Sequence, residues 1–215
     1  MGTHVMGQGS LTPPGAPGET MKTLAQVEPR TPISSLPYTI TESGSYYVTG
    51  NLSSTTHGIV IETSGVTVDL MGFSLTGDGS SGDYGIYVDG STNAVIENLV
   101  IKGGRISGFY YGLSCMYMNN SRIEQMVVSD NTDDGVYLYG RNGQCDGNTI
   151  RENTISKNTT KGIRLYHADG NRVEANNVWG TTRGRVGNPD DVKYQQLHPE
   201  KHLHGEWNQL RLGLR

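Results

Sequence analysis

Short runs of alternating apolar and polar residues recur through the middle of the chain, and Gly, Asn, Asp, Ser and Thr separate them. In one column a glycine precedes an aliphatic residue, at intervals of 27, 27, 23 and 27: Gly58-Ile59, Gly85-Ile86, Gly112-Leu113, Gly135-Val136 and Gly162-Ile163. Two more columns are Val68, Ile96, Ile123, Ile150 and Val173, and Phe73, Ile101, Val128, Ile155 and Val178. A period of this length with paired apolar positions predicts a stack of short strands.

One such unit cannot bury its own apolar face, so its neighbours must stack on it. Residues 148–155, NTIRENTI, show the spacing N-x-I-x-x-N-x-I. The chain therefore resembles the right-handed parallel β-helix proteins of the pectin-lyase-like fold, over about residues 38–182. The resemblance implies an all-β parallel β-helix of about five turns, one for each row of the columns. It does not specify a reaction, because this fold hosts lyases, hydrolases, tailspikes and adhesins.

The predicted organisation has four parts. Residues 1–10 lack the basic start and apolar centre of a signal peptide and suggest a leader added by cloning. Residues 11–37 are a Pro-rich linker in which residues 19–27 form a short helix, because an uncovered β-helix end exposes unpaired strand edges. Residues 38–182 are the β-helix, and residues 183–215 are a His-rich tail without its spacing.

Composition excludes some function classes. The net charge of −4 argues against a nucleic-acid partner, which requires a basic face. No apolar run approaches the ~20 residues that cross a bilayer. The resemblance suggests a secreted or cell-surface protein.

The two cysteines occupy different settings. Cys115 falls in the inward column of Ile61, Val88, Leu138 and Leu165 and is expected to be a buried free thiol. Cys145 lies in a Gly-rich turn, so no disulfide framework is predicted.

Asparagine and tyrosine mark two further columns. The central inward position changes from Met71, Leu99 and Met126 to Asn153 and Asn176, which predicts a hydrogen-bonded asparagine ladder. Outward positions place Tyr87, Tyr137, Tyr139 and Tyr166 in an aromatic strip. Such a strip favours a homotrimer interface over a sugar-stacking platform, since elongated β-helices commonly associate in threes.

Acidic loops at residues 77–83 and 130–134 could collect Ca²⁺, although turn chemistry explains the same residues. A polysaccharide lyase would need a basic residue beside such carboxylates. Lys102 and Arg105 are the candidates, and nothing in the sequence connects them to these loops.

The tail breaks the repeat. Reading the codons from Gly187 onward one nucleotide later permits I-R-K-N-x-F-T-G-N-G-[TI]-N, which has the spacing of residues 150–158. The tail is therefore predicted to derive from a frameshift. It contains His198, His202 and His204, whose spacing suits a divalent metal, most simply Zn²⁺, with Glu200 or Glu206 as general base or fourth ligand. The alternative is a solvated or capping tail.

Three functions therefore remain open. The first is a trimeric scaffold that carries this metal site and hydrolyses ester or phosphoester bonds. The others are a non-catalytic surface or structural β-helix, and a carbohydrate-binding or carbohydrate-active one.

Overall fold

The computed structural model describes residues 28–141 and 143–181, and every regular element in them is a β-strand. The strands are β1 Thr31–Ile33, β2 Tyr38–Ile40, β3 Gly44–Val48, β4 Leu52–Ser53, β5 Ile59–Ile61, β6 Val66–Asp69, β7 Ser74–Thr76, β8 Tyr84–Asp89, β9 Ile96–Glu97, β10 Val100–Ser107, β11 Tyr111–Met116, β12 Met118–Asn119, β13 Arg122–Ser129, β14 Val136–Tyr139, β15 Thr149–Arg151, β16 Thr154–Ser156, β17 Ile163–Tyr166, β18 Arg172–Glu174 and β19 Asn177–Trp179. The predicted helix over residues 19–27 and the His-rich tail lie outside the described residues.

The strands stack in parallel to form a right-handed β-helix, as the resemblance predicted, with about six turns where about five were expected. One six-stranded sheet has the order β17-β14-β11-β8-β5-β2. An eleven-stranded sheet joins two further stacks, β1-β3-β6-β10-β13-β15-β18 and β4-β7-β10-β13-β16-β19, through the long strands β10 and β13. The pair β9 and β12 forms a small third sheet. Strand pairing begins at Thr31, within the segment assigned to the Pro-rich linker.

The register confirms the first predicted column and corrects the other two. Ile59, Ile86, Leu113, Val136 and Ile163 pair in sequence and are fully buried. The second column is instead Val68, Ile101, Ile123, Ile150 and Val173, and the third is Leu75, Ile106, Val128, Ile155 and Val178. Ile96 pairs with Met118 in the small sheet, and Phe73 is half-buried beside the core. Ile96, Ile101 and Ile106 are five residues apart, so a slip of five aligns the apolar positions equally well.

The predicted central column also needs correction in its early turns. Met71 is 48% exposed and has a φ of 53°, while its neighbour Leu70 is fully buried. Leu99 aligns with Ser121 rather than with Met126, because the Leu99 amide donates to Ser121 Oγ at 2.9 Å. Only Met126, Asn153 and Asn176 form the column as predicted.

Several corners in the later turns of the β-helix combine one left-handed residue with an inward asparagine. Gln125, Glu152 and Ala175 have φ values of 55°, 56° and 52°, and the next residue of the later two turns is Asn153 or Asn176. The left-handed residue turns the backbone sharply within one position. The strand direction therefore changes without a loop, and the asparagine enters the interior.

Three asparagine ladders run through the interior rather than one. In each, the Oδ1 atom of an asparagine accepts the backbone N–H of the equivalent residue one turn earlier. Their Nδ2 atoms donate to backbone carbonyls of earlier turns or to the next asparagine. The ladders are Asn131 with Asn158, Asn148 with Asn171, and Asn153 with Asn176. Buried corner amides are thus satisfied by side chains.

The glycines of the first column allow successive turns to approach closely. A Cβ atom at Gly112 would lie 2.5 Å from the carbonyl oxygen of Gly135, and one at Gly135 would lie 2.7 Å from that of Gly162. Glycine is needed here because the backbone of the next turn occupies the space of a side chain.

The Gly112→Ala variant should therefore be destabilised by about 1–3 kcal/mol, because the added methyl group contacts rigid backbone. A Cβ atom added at Gly50 would have nothing within 4 Å. Gly50→Ala is therefore the matched control, and its stability should differ little from that of the parent. Urea unfolding followed by circular dichroism measures both. Equal stability of the Gly112→Ala variant and the parent would contradict this packing.

The Asn153→Ala variant should lose about 2–4 kcal/mol, because it leaves the buried amide of Met126 and the Ile123 carbonyl without their partner. Asn177 is exposed and serves as control, since Asn177→Ala removes the same atoms from the surface. The midpoint of urea unfolding distinguishes them. A similar small shift in both variants would show that the ladder contributes little.

Candidate functional site

The outer face of the six-stranded sheet carries a row of tyrosines. Strand alternation turns every second residue outward, and parallel pairing then aligns these residues between turns. Val60, Tyr87, Ser114, Tyr137 and Arg164 form one aligned outward column. Asp89, Met116, Tyr139 and Tyr166 form the next. The predicted aromatic strip is therefore present on this face.

Tyr84 and Tyr111 extend the strip, and sequence reasoning missed them. Both precede the glycine of the first column, and they pair with each other between β8 and β11. The signal was available in the repeated Tyr-Gly of residues 84–85 and 111–112. We call the set Tyr84, Tyr87, Tyr111, Tyr137, Tyr139 and Tyr166 the tyrosine strip.

Neighbouring rings of the tyrosine strip stack on one another from turn to turn. Tyr84 and Tyr111 have centroids 5.6 Å apart and an interplanar angle of 13°. The Tyr111–Tyr137 pair has values of 5.5 Å and 23°, and the Tyr139–Tyr166 pair 5.7 Å and 16°. Since each ring face covers the next, the strip offers mainly ring edges and hydroxyl groups to a ligand. A sugar could stack face-on only where a column ends.

A histidine lies beside the strip at its N-terminal end. The His57 ring packs 5.0 Å from that of Tyr84, and Nδ1 of His57 lies 3.3 Å from Oδ1 of Asp83 without hydrogen-bond geometry. The Oγ of Ser54 donates to the His57 carbonyl at 2.9 Å. These contacts hold an imidazole and a carboxylate next to the first tyrosine of the strip.

Arg164 lies at the C-terminal end of the tyrosine strip, and its neighbours hold it in place. The guanidinium carbon of Arg164 lies 4.8 Å from the ring centroid of Tyr137 and 5.7 Å from that of Tyr166. Its Nη1 lies 3.4 Å from Oδ2 of Asp134, whose side chain is fully buried, while Oδ1 of Asp134 accepts the Lys161 amide at 2.9 Å. Burial and then the Asp133 carboxylate raise the pKa of Asp134, whereas the Lys161 amide and Arg164 oppose that shift. Arg164 therefore has a preset orientation on the strip.

The hydroxyl groups of Tyr84, Tyr87, Tyr111 and Tyr137 remain protonated at neutral pH. Burial is the main cause that raises the pKa of Tyr84, Tyr111 and Tyr137 above the usual range. The pKa of Tyr87 is raised by burial and by the hydrogen bond that its hydroxyl donates to Asp89 Oδ1, which is 3.0 Å long. Tyr84, Tyr111 and Tyr137 therefore present neutral hydroxyl groups that can both donate and accept hydrogen bonds, while the hydroxyl of Tyr87 already donates to Asp89.

The acidic loops do not assemble a metal site in the described part of the chain. No group of three or more His, Cys, Asp or Glu side chains comes together there in a form that could hold a metal ion. Asp130 is a left-handed corner residue with φ 56°, and the next residue, Asn131, belongs to a ladder. Corner and turn chemistry thus accounts for the loop that suggested Ca²⁺. The predicted zinc ligands His198, His202 and His204, with Glu200 and Glu206, lie outside the described residues.

The two candidate lyase bases have structural contacts instead. Lys102 lies 3.4 Å from Asp69 in an outward column of alternating charge that continues through Glu124 and Arg151. Arg105 donates to the Gly72 carbonyl at 3.3 Å. Both contacts join neighbouring turns of the eleven-stranded sheet.

Both cysteines are free and buried, as predicted for Cys115. Burial raises the pKa of the Cys115 thiol, and it raises that of Cys145 to about 12. Metal binding requires the thiolate form. These two sulfurs are therefore poor metal ligands in the folded protein.

Residues 29–187 match the family model described as "Periplasmic copper-binding protein (NosD)". The chain belongs to the NosD family. The match spans the whole described β-helix, so the family relation and the fold agree. Searches of curated proteins and of solved structures gave no match. No helix in the described part of this NosD-family chain is long and apolar enough to cross a membrane.

The described residues of this NosD-family chain do not fit a copper ion. Copper in proteins is held by thiolate, thioether or imidazole ligands brought together at one point. Among the described residues both thiols are buried with a raised pKa, and no three His, Cys, Asp or Glu side chains come together in a form that could hold an ion. The described part of the β-helix therefore offers no His, Cys, Asp or Glu cluster for the copper named in the family description.

Proposed function

We propose that the chain is a non-catalytic β-helix scaffold of the periplasm whose tyrosine strip binds carbohydrate. The observation that carries the proposal is the strip itself. It comprises six tyrosines on one sheet face, with rings stacked within one strand and between successive turns, and an arginine held over two of the rings. The compartment follows the family description.

The chemistry of the strip suits a sugar. Glycans present many hydroxyl groups on a partly apolar ring, and protein sites match them with hydroxyls, carboxylates and guanidinium groups beside aromatic carbon. Tyr84, Asp83 and His57 supply such groups at one end, and Tyr137, Tyr166 and Arg164 at the other. The strip is long and narrow, which favours a chain over a compact ligand.

Removing hydroxyl groups while keeping the stacked rings tests the proposal. The variant Tyr84→Phe/Tyr111→Phe/Tyr137→Phe/Tyr166→Phe should fold normally and bind glycans at least tenfold more weakly, because each lost hydrogen bond is worth about 0.5–1.5 kcal/mol. Tyr47→Phe, on the eleven-stranded sheet, is the control and should bind as the parent does. Isothermal titration with a panel of soluble oligosaccharides gives the dissociation constants. Unchanged affinity in the quadruple variant, or no binding of any glycan by the parent, would refute the proposal.

The rival use of the same surface is a homotrimer interface. The half-buried rings and the 45% exposed Tyr166 could pack against other copies of the chain. Light scattering on the parent and on Tyr137→Ala/Tyr139→Ala/Tyr166→Ala distinguishes the two. If the parent has the mass of three chains and the variant the mass of one, the strip is an assembly interface and does not bind the ligand.

Metal binding is a separate proposal that rests on His198, His202 and His204 alone. Imidazole suits both copper and zinc. We expect the parent to take up about one equivalent of Cu²⁺ or Zn²⁺, since three imidazoles in seven residues can share an ion, and His198→Ala/His202→Ala/His204→Ala to take up none.

Elemental analysis after exhaustive chelation and reloading measures that uptake. Ester hydrolysis by the loaded parent, lost in Glu200→Gln or Glu206→Gln, would restore the hydrolase hypothesis. Metal retained by the triple variant would place the site elsewhere in the chain.

A further inference from the structure

We infer that the tyrosine strip conducts an electron hole, taken up from a one-electron oxidant at Tyr166, to Tyr87, where the Asp89 carboxylate accepts the phenolic proton. This activity goes beyond the proposed function and does not depend on glycan binding. The juxtaposition that carries it is an unbroken series of close phenol rings that ends at a hydroxyl hydrogen-bonded to a carboxylate.

Every step along the strip is short. Centroids of neighbouring rings lie 4.6 to 6.2 Å apart in the order Tyr166, Tyr139, Tyr137, Tyr111, Tyr84 and Tyr87. These contacts are stacked, with interplanar angles of 13° to 23°, except that Tyr137 and Tyr139 are tilted by 53°.

Short steps favour transfer through the rings over one direct jump. The first and last rings belong to β17 and β8, which are separated by three ladder spacings, about 14 Å. The rate of electron transfer falls steeply with distance, so a series of ring-to-ring steps is faster than a single step across this gap. The strip therefore provides a continuous path along four strands.

Tyr166 is the ring at which an oxidant meets the path. It is 45% exposed, while the other five rings are half-buried. The Arg164 guanidinium lies 5.7 Å from its centroid and 4.8 Å from that of Tyr137, and a nearby cation disfavours a positive charge on either ring. The Asp134 carboxylate, 3.4 Å from Arg164, offsets part of this effect. A hole that enters here is therefore driven onward along the strip.

Tyr87 is the ring that traps the hole. Oxidation makes a phenol strongly acidic, so the hole becomes a neutral radical once a base takes the proton. The Tyr87 hydroxyl donates to Oδ1 of Asp89 at 3.0 Å and also lies 3.3 Å from Sδ of Met116. Among the described residues, no other hydroxyl of the strip donates to a carboxylate. Electron and proton can therefore leave together at Tyr87.

Electrons and protons balance in this sequence. The oxidant gains one electron from Tyr166. Each ring then receives an electron from its neighbour nearer to Tyr87, so that the intervening tyrosines are restored. Finally the O–H bond of Tyr87 breaks and its proton binds the Asp89 carboxylate. The products are the reduced oxidant, a neutral phenoxyl radical on Tyr87 and a carboxylic acid at Asp89.

The experiment places a photo-oxidant at the exposed end of the strip. His167 is exposed, and its ring lies 4.3 Å from that of Tyr166. His167→Cys in the full-length chain accepts a thiol-reactive tris-bipyridyl ruthenium label, since both native thiols are buried. A light flash, with a cobalt(III) ammine complex as electron acceptor, generates the ruthenium(III) oxidant. A small nitroso spin trap then marks the radical for peptide mass spectrometry.

In the labelled chain we expect most of the trapped radical on Tyr87. Tyr111→Phe keeps a ring at that position but makes it much harder to oxidise, so the Tyr87 adduct should fall several-fold. Asp89→Asn keeps the size of the side chain and removes the base, and it should lower the same adduct several-fold. Tyr47→Phe, on the eleven-stranded sheet, is the control and should give the parent distribution.

A radical that stays on Tyr166, or that collects on a tryptophan, in the labelled chain would overturn the inference. An undiminished Tyr87 adduct in Tyr111→Phe would show that the hole does not pass through the strip. An undiminished adduct in Asp89→Asn would overturn the assignment of the proton acceptor. Oligosaccharide titration tests glycan binding separately, so either proposal can fail without the other.

Discussion

The hydrogen bond from a corner amide to an inward asparagine is the interaction on which the rest of the structure depends. A β-helix must turn its backbone several times per turn, and each bend would bury an amide that no strand ladder can pair. Here Asn131, Asn148 and Asn153 accept those amides from the turn below and are themselves capped by Asn158, Asn171 and Asn176 from the turn above. Without these acceptors the bends at Phe109, Ser121 and Met126 would each leave a buried donor unpaired.

Regular corners in turn create the tyrosine strip. Because each bend occupies the same position in successive turns, the strands between bends start in register and their outward residues align. The glycines at the start of these strands leave room for the carbonyl groups of the next turn, so that the ladder spacing is kept there. The strip is therefore a surface consequence of interior hydrogen bonding, and its repeat distance is that of the backbone.

The family relation and the structure point to different uses of this chain. The NosD family is described by copper binding, while the described residues hold buried, protonated thiols and no ligand cluster. The feature that stands out on the described surface is aromatic and polar, with its charges locally compensated. The metal hypothesis concerns His198, His202 and His204, which lie outside the described residues.

The amino-acid sequence by itself determined the fold, the glycine column, the outward tyrosines of β8, β14 and β17 and one asparagine ladder. Each of these features follows from a repeat period that can be seen in the linear sequence. It did not determine the register of the early turns, since Ile96, Ile101 and Ile106 are spaced alike and a slip of five residues keeps every apolar position buried. Only the tertiary structure decided between them, through strand pairing that places Ile101 on Val68 and Ile106 on Leu75. The contacts of Arg164 with Asp134, Tyr137 and Tyr166 also required three dimensions, because they join residues of different turns whose side chains meet only after the chain has coiled.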